Sequence, residues 1–240
     1  MDSLRLEDLA VSVNDRPILT GVDLALQQGR IYALMGPNGS GKSTLALAVA
    51  GHPAYRVEGG RILLEGEEIT HLPAHQRARR GLLLAHQYPP AVPGVRLAQL
   101  VRTARAGRGL PAGELEELLP AALRRLAAAE LAERELNVGF SGGEKKRAEL
   151  MQVVALRPQV ALLDEPDSGV DVDALQVMAA AIRQLAAAGT SVLVITHYPR
   201  ILDRLPLAEV FVLGGGRIKR RGGPEVARAI EAQGFGVKSR

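Results

Sequence analysis

The chain contains no cysteine and no tryptophan, and aromatic residues make up only 3% of its 240 positions. Without cysteine it has no disulfide framework and no thiolate-held metal or cluster. With so few aromatics, its core must be filled by Leu, Val, Ile and Ala. A strong charge of either sign is also lacking, since 30 Lys and Arg stand against 26 Asp and Glu for a net +4. The basic residues form no long run and have no aromatics interleaved, so they read as solvated surface and no nucleic-acid partner is expected. No apolar run approaches the length that spans a bilayer, so no direct membrane insertion is expected. The opening "MDSLRLEDLA" carries acidic residues and no apolar h-region, unlike a secretory signal. A cytoplasmic location is expected, with docking on a membrane-bound partner still open.

What is present is an alternation of two periodicities. "LRLEDLAVSV" and "VDLALQQG" predict half-buried strands, and "RIYALM" a more buried one. "KSTLALAVAG" predicts a helix ending at Gly51, "GRILLEGEEI" a hairpin strand and "RGLLLA" a short buried strand. "PPAVPG" then breaks the pattern. From Leu97 to Leu136 the chain is Leu, Ala, Arg and Glu at helical spacing with no strand candidate, so a helical insert is expected. The α/β pattern returns with a helix near Ser141 and a buried strand at "VALLDE". A helix over "DALQVMAAAIRQLAAAG", a strand at "SVLVITH", a hairpin at "AEVFVLGGGRIKRRG" and a last helix at "PEVARAIEAQG" follow. The expected organisation is a core over 1–87, a helical insert over 88–140, and the rest of the core over 141–240.

"GPNGSGKST" comprises Gly36, Pro37, Asn38, Gly39, Ser40, Gly41, Lys42, Ser43 and Thr44, and fits G-x-x-x-x-G-K-[ST] between a strand and a helix. Glycines there let backbone N–H groups turn inward around phosphate oxygens, and the helix N-terminus adds its positive end. Lys42 is expected to reach the β- and γ-phosphates, and Ser43 to offer its hydroxyl to Mg²⁺. "VALLDEP" is an apolar strand ending in two carboxylates, with Asp164 expected to hold Mg²⁺ and Glu165 to polarise the attacking water. "THYP" sets His197 at another strand end, and parallel strand ends converge on the nucleotide edge of such sheets. Gln87 takes its weight from its location, where a strand leaves the core for the helical insert.

The stretch "FSGGEKKRAEL" is a helix start in which Ser141 and Glu144 form a capping box. A glycine-lined helix start is also an anion site. It resembles the signature sequence of the ATP-binding cassette (ABC) ATPases. The family's other motifs follow in the family's order: the P-loop, the Q-loop at Gln87, Asp164 and Glu165, the D-loop "SGVD" at 168–171, and His197. The resemblance covers essentially the whole chain. It implies an α/β P-loop NTPase core, with a RecA-like parallel sheet, an antiparallel β subdomain and an inserted helical subdomain. It also implies Mg²⁺-dependent ATP hydrolysis, with Lys42, Gln87, Glu165 and His197 catalytic and Ser43, Gln87 and Asp164 on the metal. Two cassettes would sandwich ATP in a transient homodimer, with Ser141, Gly142 and Gly143 completing the opposite subunit's site. Glu144 would fold back onto the Ser141 N–H, leaving the glycine amides to the phosphate.

Within that family, "FSGGEKKRAEL", "LLDEPDSGVDVDAL", "ITHYPRIL", "QYPPAVPGV" and the late "AQGF" resemble the SufC family, ATPase subunits of the SUF iron–sulfur cluster assembly machinery. The Glu-Lys-Lys after "SGG" and Asp167 after "DEP" differ from most transporter cassettes. Two positions depart: His86 stands where that family carries an aromatic, and Val13 stands near where many cassettes stack an aromatic on adenine. The resemblance implies SufB/SufD-type scaffold partners, and cysteine-borne cluster ligands on other chains. The alternative is the ATPase subunit of an ABC membrane transporter. A nucleotide-dependent switch with little turnover is disfavoured by the presence of both Glu165 and His197. The partner cleft is expected along "HQYPPAVPGV", with Tyr88, Pro90, Val92 and Val95 as its apolar wall. Lys145 and Lys146 sit in the first turn of the signature helix, against the helix dipole. Water exposure is one reason for that placement. The sharper expectation is that Lys146 pairs with Glu165 in the free subunit and restrains it, with Asp167 and His197 joining the rearrangement.

Overall fold

The computed structural model describes residues 1–235. Among them the chain begins with β1 (Asp2–Val13), β2 (Arg16–Gln27) and β3 (Ile31–Met35). Helix α1 (Lys42–Ala50), β4 (Tyr55–Leu64), β5 (Glu67–Glu68), α2 (Ala74–Arg79) and β6 (Leu82–Ala85) follow. The chain then leaves the sheets for α3 (Leu97–Gly107), α4 (Ala112–Arg125) and a short 3₁₀ turn over Ala129–Leu131. It returns through α5 (Gly142–Leu156), β7 (Val160–Asp164), α6 (Val172–Ala187), β8 (Ser191–Ile195), β9 (Leu207–Gly214), β10 (Arg217–Gly222) and α7 (Pro224–Gln233).

Among the described residues, ten strands form two sheets. One is antiparallel with order β2-β1-β4-β5; the other has order β10-β9-β3-β8-β7-β6 and is parallel except for the β9–β10 hairpin. The parallel strands are short apolar runs because both of their faces are covered. In β3, Tyr32 and Leu34 face the antiparallel sheet and α1, while Ile31, Ala33 and Met35 face the helices on the other side. The same alternation divides Val160 and Leu162 from Ala161 and Leu163 in β7. The two resulting cores are aliphatic, as the composition demands, with Tyr32 and Phe211 stacked at 6.1 Å among the few buried aromatics.

Two elements differ from the sequence reading. The strand expected from Gly60 begins at Tyr55, because it extends along β1 from Leu64↔Leu4 to Tyr55↔Val13. Helix α2 has no apolar period to announce it. It is held by buried Arg77, whose guanidinium donates to the carbonyls of Ala48, Val49, Thr70 and Leu72. Ala48 and Val49 lie in the last turn of α1, so Arg77 adds a cationic donor at the carbonyl end of the helix that starts at the P-loop, where the Gly51 N–H also reaches Ala48.

The expected boundary at residue 140 falls just before α5, which packs on α3 and α4 as well as on β6 and α6. Between Leu97 and Leu136 the described structure is helical, apart from a single bridge between Arg96 and Glu135 at its rim. No helix among the described residues is long and apolar enough to cross a membrane.

Candidate functional site

Four parallel strands end at one edge of the larger sheet, and each delivers a residue there. The loop after β3 is the P-loop, the loop after β6 carries Gln87, and Asp164 ends β7 with Glu165 beyond it. His197 lies two residues past β8. Sequence alone cannot say that these four ends are neighbours; the register β6·β7·β8·β3 does. They surround a cavity of about 610 Å³ lined by Asn38, Gly39, Lys42, Gln87, Glu165 and His197, among others.

The P-loop is shaped for backbone to meet an anion. Gly41, at φ 105°, turns the chain into α1 in a conformation that favours glycine. Gly36 is crowded: a Cβ there would strike the Leu213 carbonyl and the Ser40 hydroxyl. Lys42 Nζ donates to the carbonyls of Gly36 at 2.8 Å and Pro37 at 3.1 Å, so its ammonium lies across the loop. Burial lowers its pKa, and the carboxylates of Glu165 and Asp164 work against that.

Asp164 is buried, and its Oδ1 has no hydrogen-bond partner. Burial raises its pKa, while the Ser43 hydroxyl opposes the rise. An orphaned carboxylate oxygen beside a hydroxyl suits a hard divalent cation that takes its remaining ligands from phosphate and water. Among the described residues no group of three or more His, Asp or Glu is arranged to hold a metal by itself. Mg²⁺ therefore fits here only with a nucleotide. Asp164 and Ser43 would hold it, and its chemistry would be to neutralise charge on the β- and γ-phosphate oxygens.

Glu165 sits at φ 47°, a left-handed backbone that costs a non-glycine residue about 1–3 kcal/mol. Its N–H donates to the Ile195 carbonyl at 2.8 Å, which ties the strained residue to β8. Its carboxylate accepts from Gln87 Nε2 at 2.6 Å and contacts His197 Nδ1 at 2.8 Å. A carboxylate only accepts, so Nδ1 carries the proton in that contact.

The expected Lys146–Glu165 ion pair is not formed. Lys146 Nζ instead donates to the carbonyls of Gln87 (2.8 Å), His86 (3.3 Å) and Asp164 (3.4 Å). Lys146 is only 7% exposed, so water exposure does not account for it either. Three convergent carbonyls outcompete one carboxylate that is already held by Gln87 and His197. Asp167, likewise buried, accepts from the Thr196 hydroxyl at 3.1 Å, beside His197 in sequence, and forms no ion pair with Lys146.

The capping box forms as expected. Ser141 N–H donates to Glu144 Oε2 at 2.7 Å, and Glu144 N–H to Ser141 Oγ at 3.2 Å. Arg134 adds a 2.8 Å bond to Glu144 Oε1 that sequence reasoning missed. The Ser141 backbone bond, helped by Arg134, lowers the Glu144 pKa. Ser141 and Gly142 are exposed, and neither they nor Gly143 line the P-loop cavity of their own chain. Ser168, the first residue of the expected D-loop, also lines it, and two lining residues had no role in the sequence reading: Ile18 and Tyr198. Val13 is not among them. Tyr198 was legible as an aromatic beside His197, whereas Ile18 arrives from β2 and carries no local signal.

A P-loop, a buried aspartate with an unpartnered oxygen and an adjacent glutamate on one parallel-sheet edge are the arrangement of a nucleoside-triphosphate hydrolase. The ABC transporter family model matches residues 19–168, and the chain belongs to that family as an ATP-hydrolysing ABC ATPase. Domains of this family bind ATP, typically with Mg²⁺. The "Probable ATP-dependent transporter ycf16" of Cyanophora paradoxa is 42% identical, over 97% of this chain and 93% of that protein. "Vegetative protein 296" of Bacillus subtilis (strain 168) is 40% identical, over 97% and 92%. Among solved structures, the ATP-binding subunit of an ABC transporter superposes with a TM-score of 0.83 at 25% identity, covering 98% of this chain and 95% of that one. The dimeric structure of MJ0796, a bacterial ABC transporter cassette, shares the fold with a TM-score of 0.79 at 18% identity, covering 92% and 98%.

Proposed function

We propose that this ATPase serves iron–sulfur cluster assembly on a SufB/SufD-type scaffold, through ATP-driven pairing of two cassettes. The observation that carries the assembly role is the burial of Lys146 and Asp167. By the resemblance these residues set the signature helix and the position after "DEP" apart from most transporter cassettes, and both are 7% exposed and hydrogen-bonded within the site. A difference built into the catalytic edge speaks for a distinct working cycle rather than surface drift.

Pairing is supported by Gly142 and Gly143. Neither has positive φ, and a Cβ on either meets nothing within 4 Å among the described residues. The chain's own packing therefore gives no reason for glycine there. Close approach of another body does: the γ-phosphate of ATP held on a second copy's P-loop, met by the α5 N-terminus. In the closed pair, Asn38–Thr44 would hold the phosphates and Lys42 the β- and γ-oxygens. Glu165 would take a proton from the attacking water, with His197 orienting it. Gln87 Oε1 is the acceptor that would face the metal.

The second reading, the ATPase subunit of a membrane transporter, draws on relatives such as the "Probable ABC transporter ATP-binding protein SpyM3_0208" of Streptococcus pyogenes serotype M3, 42% identical over 98% of this chain. Either partner would use the exposed Q-loop wall around Tyr88. Purification of the chain from its own cells, with partner identification and iron and sulfide analysis, tests the choice. A scaffold with iron and sulfide is expected; a stoichiometric membrane-spanning partner overturns the assembly role.

A further inference from the structure

The signature helix reaches back into its own chain's catalytic edge at two points. Lys146 Nζ takes the carbonyls of His86 and Gln87. Glu149 Oε2 accepts from the His86 backbone N–H at 3.0 Å. Positions three apart share a helix face, so the two side chains grip the same short piece of backbone, one by its carbonyls and the other by its amide. Gln87 belongs to that piece, and its side chain donates to Glu165 Oε2.

Little else holds residues 86–87. β6 ends at Ala85, and the chain forms no helix or strand from His86 to Val95. Further along, Asn137 Nδ2 donates to the Pro90 carbonyl at 2.9 Å and Val92 N–H to the Leu136 carbonyl at 2.9 Å. The Q-loop thus leans on the helical insert and α5, and not on the sheet. Burial lowers the Lys146 pKa and raises that of Glu149, so both charged groups are kept dehydrated against their preference. An apolar pair would fill the same space without that desolvation penalty, but would not fix a peptide by its polar atoms.

We propose that Lys146 and Glu149 are positioning residues, a clamp by which the start of the signature helix sets Gln87 and, through it, Glu165. The clamp rests on the two-cassette reading above. Ser141, Gly142 and Gly143 meet ATP on the other cassette, while Glu165 serves ATP on its own. A shift of α5 when SGG closes on one nucleotide moves residues 86–87 with it, and so repositions the base at the other. One chain thereby links two ATP sites through a continuous hydrogen-bonded path.

The test uses Lys146→Met, Lys146→Arg and Glu149→Leu in the full chain, each with and without Glu165→Gln. Steady-state hydrolysis gives kcat, KM and the Hill coefficient for ATP. Light scattering with ATP on the Glu165→Gln background gives the dimer, and thermal melting gives stability. Lys146→Met and Glu149→Leu are each expected to lower kcat about tenfold and bring the Hill coefficient toward 1, with KM, the ATP-dependent dimer and the melting temperature kept. Lys146→Arg, which keeps donors for the carbonyls, is expected to recover most of the loss. A Lys146→Met kcat within about twofold of wild type overturns the clamp. Joint loss of kcat, dimer and melting temperature overturns it too, because the residue then merely holds the fold. If Glu165→Gln alone forms no ATP-dependent dimer, the two-cassette reading falls first and inter-site coupling with it; a normal dimer with unchanged Lys146→Met kinetics sinks the clamp alone.

Discussion

His197 Nδ1 donates to Glu165 Oε1 at 2.8 Å, across a separation of 32 residues in the chain. The contact joins the loops beyond two hydrogen-bonded parallel strands, β7 and β8, and holds the carboxylate proposed as the general base. Glu165→Gln keeps the shape and the acceptor oxygen but loses the base. Its kcat is expected to fall at least about a hundredfold, the usual scale of general-base loss, while ATP still binds. Size-exclusion chromatography with ATP should show an accumulated dimer. Turnover at the wild-type rate would remove Glu165 from the base role.

Asp164 Oδ1, buried without a partner beside Ser43, predicts the metal dependence. Chelation of Mg²⁺ should stop hydrolysis. Asp164→Asn should raise the Mg²⁺ concentration at half-maximal rate by at least about tenfold, because an amide oxygen is a weaker ligand for a hard cation than a carboxylate. A Mg²⁺ titration at fixed ATP reads this directly, and an unshifted midpoint would place the metal elsewhere.

Tyr88 is 83% exposed at the start of the Q-loop wall, whereas Val92 packs against the core. Exposed aromatics of this kind serve as anchors for a partner. Tyr88→Ala should weaken binding of the proposed scaffold about tenfold, and more than it weakens ATP binding, although Tyr88 also lines the P-loop cavity. Calorimetry with the purified scaffold and with ATP separates the two effects. Unchanged scaffold affinity would exclude this surface.

Asp167 carries a pH signature. Burial raises its pKa, hydrogen bonds from its own N–H and Thr196 oppose this, and nearby Glu165 adds to the rise. A carboxyl with a folded pKa above its unfolded one binds its proton more tightly when folded. It therefore subtracts stability at neutral pH. The loss is recovered as pH falls from the raised folded value toward the ordinary value of 3.8. Asp164 and Glu149 shift in the same direction. These three carboxyls should add melting temperature to the nucleotide-free protein as the pH falls toward their ordinary values, whereas His86, whose pKa burial lowers, subtracts some as the pH falls through 6.5. Asp167→Asn should flatten part of that slope and raise the neutral-pH melting temperature by roughly 2–4 °C per kcal/mol removed. A lower melting temperature in the variant would mean that the charge is favoured where it sits.

Arg77 caps the carbonyl end of α1 from a buried position. Arg77→Met leaves four carbonyls without that donor and should destabilise the chain by on the order of 2–4 kcal/mol in denaturant unfolding. Wild-type stability would show that water replaces the guanidinium.

Much of the site was legible in sequence because its chemistry is local. The P-loop needs its glycines, Lys42 and Ser43 within nine consecutive residues, and the capping box needs Ser141 and Glu144 three apart. Asp164 and Glu165 announce themselves as carboxylates at the end of an apolar run. The strand and helix pattern is legible for the same reason, since buried parallel strands and amphipathic helices write their periods into neighbouring residues. The Lys146 contact was not, because a lysine's partner is set by which backbone carbonyls the fold brings within reach of its ammonium. Sequence offered a carboxylate as the natural mate, and the packing of α5 on β6 brought the ammonium to three carbonyls instead, one of them at the end of β7. Helix α2 was silent for a related reason: it is stabilised by one arginine reaching α1, a contact 28 or more residues away in the chain. Short-range spacing is enough to write the phosphate-binding chemistry into the chain. Which groups hold Glu165 and Gln87 follows from strand order and helix packing, because those partners are distant along the chain and meet only in the fold.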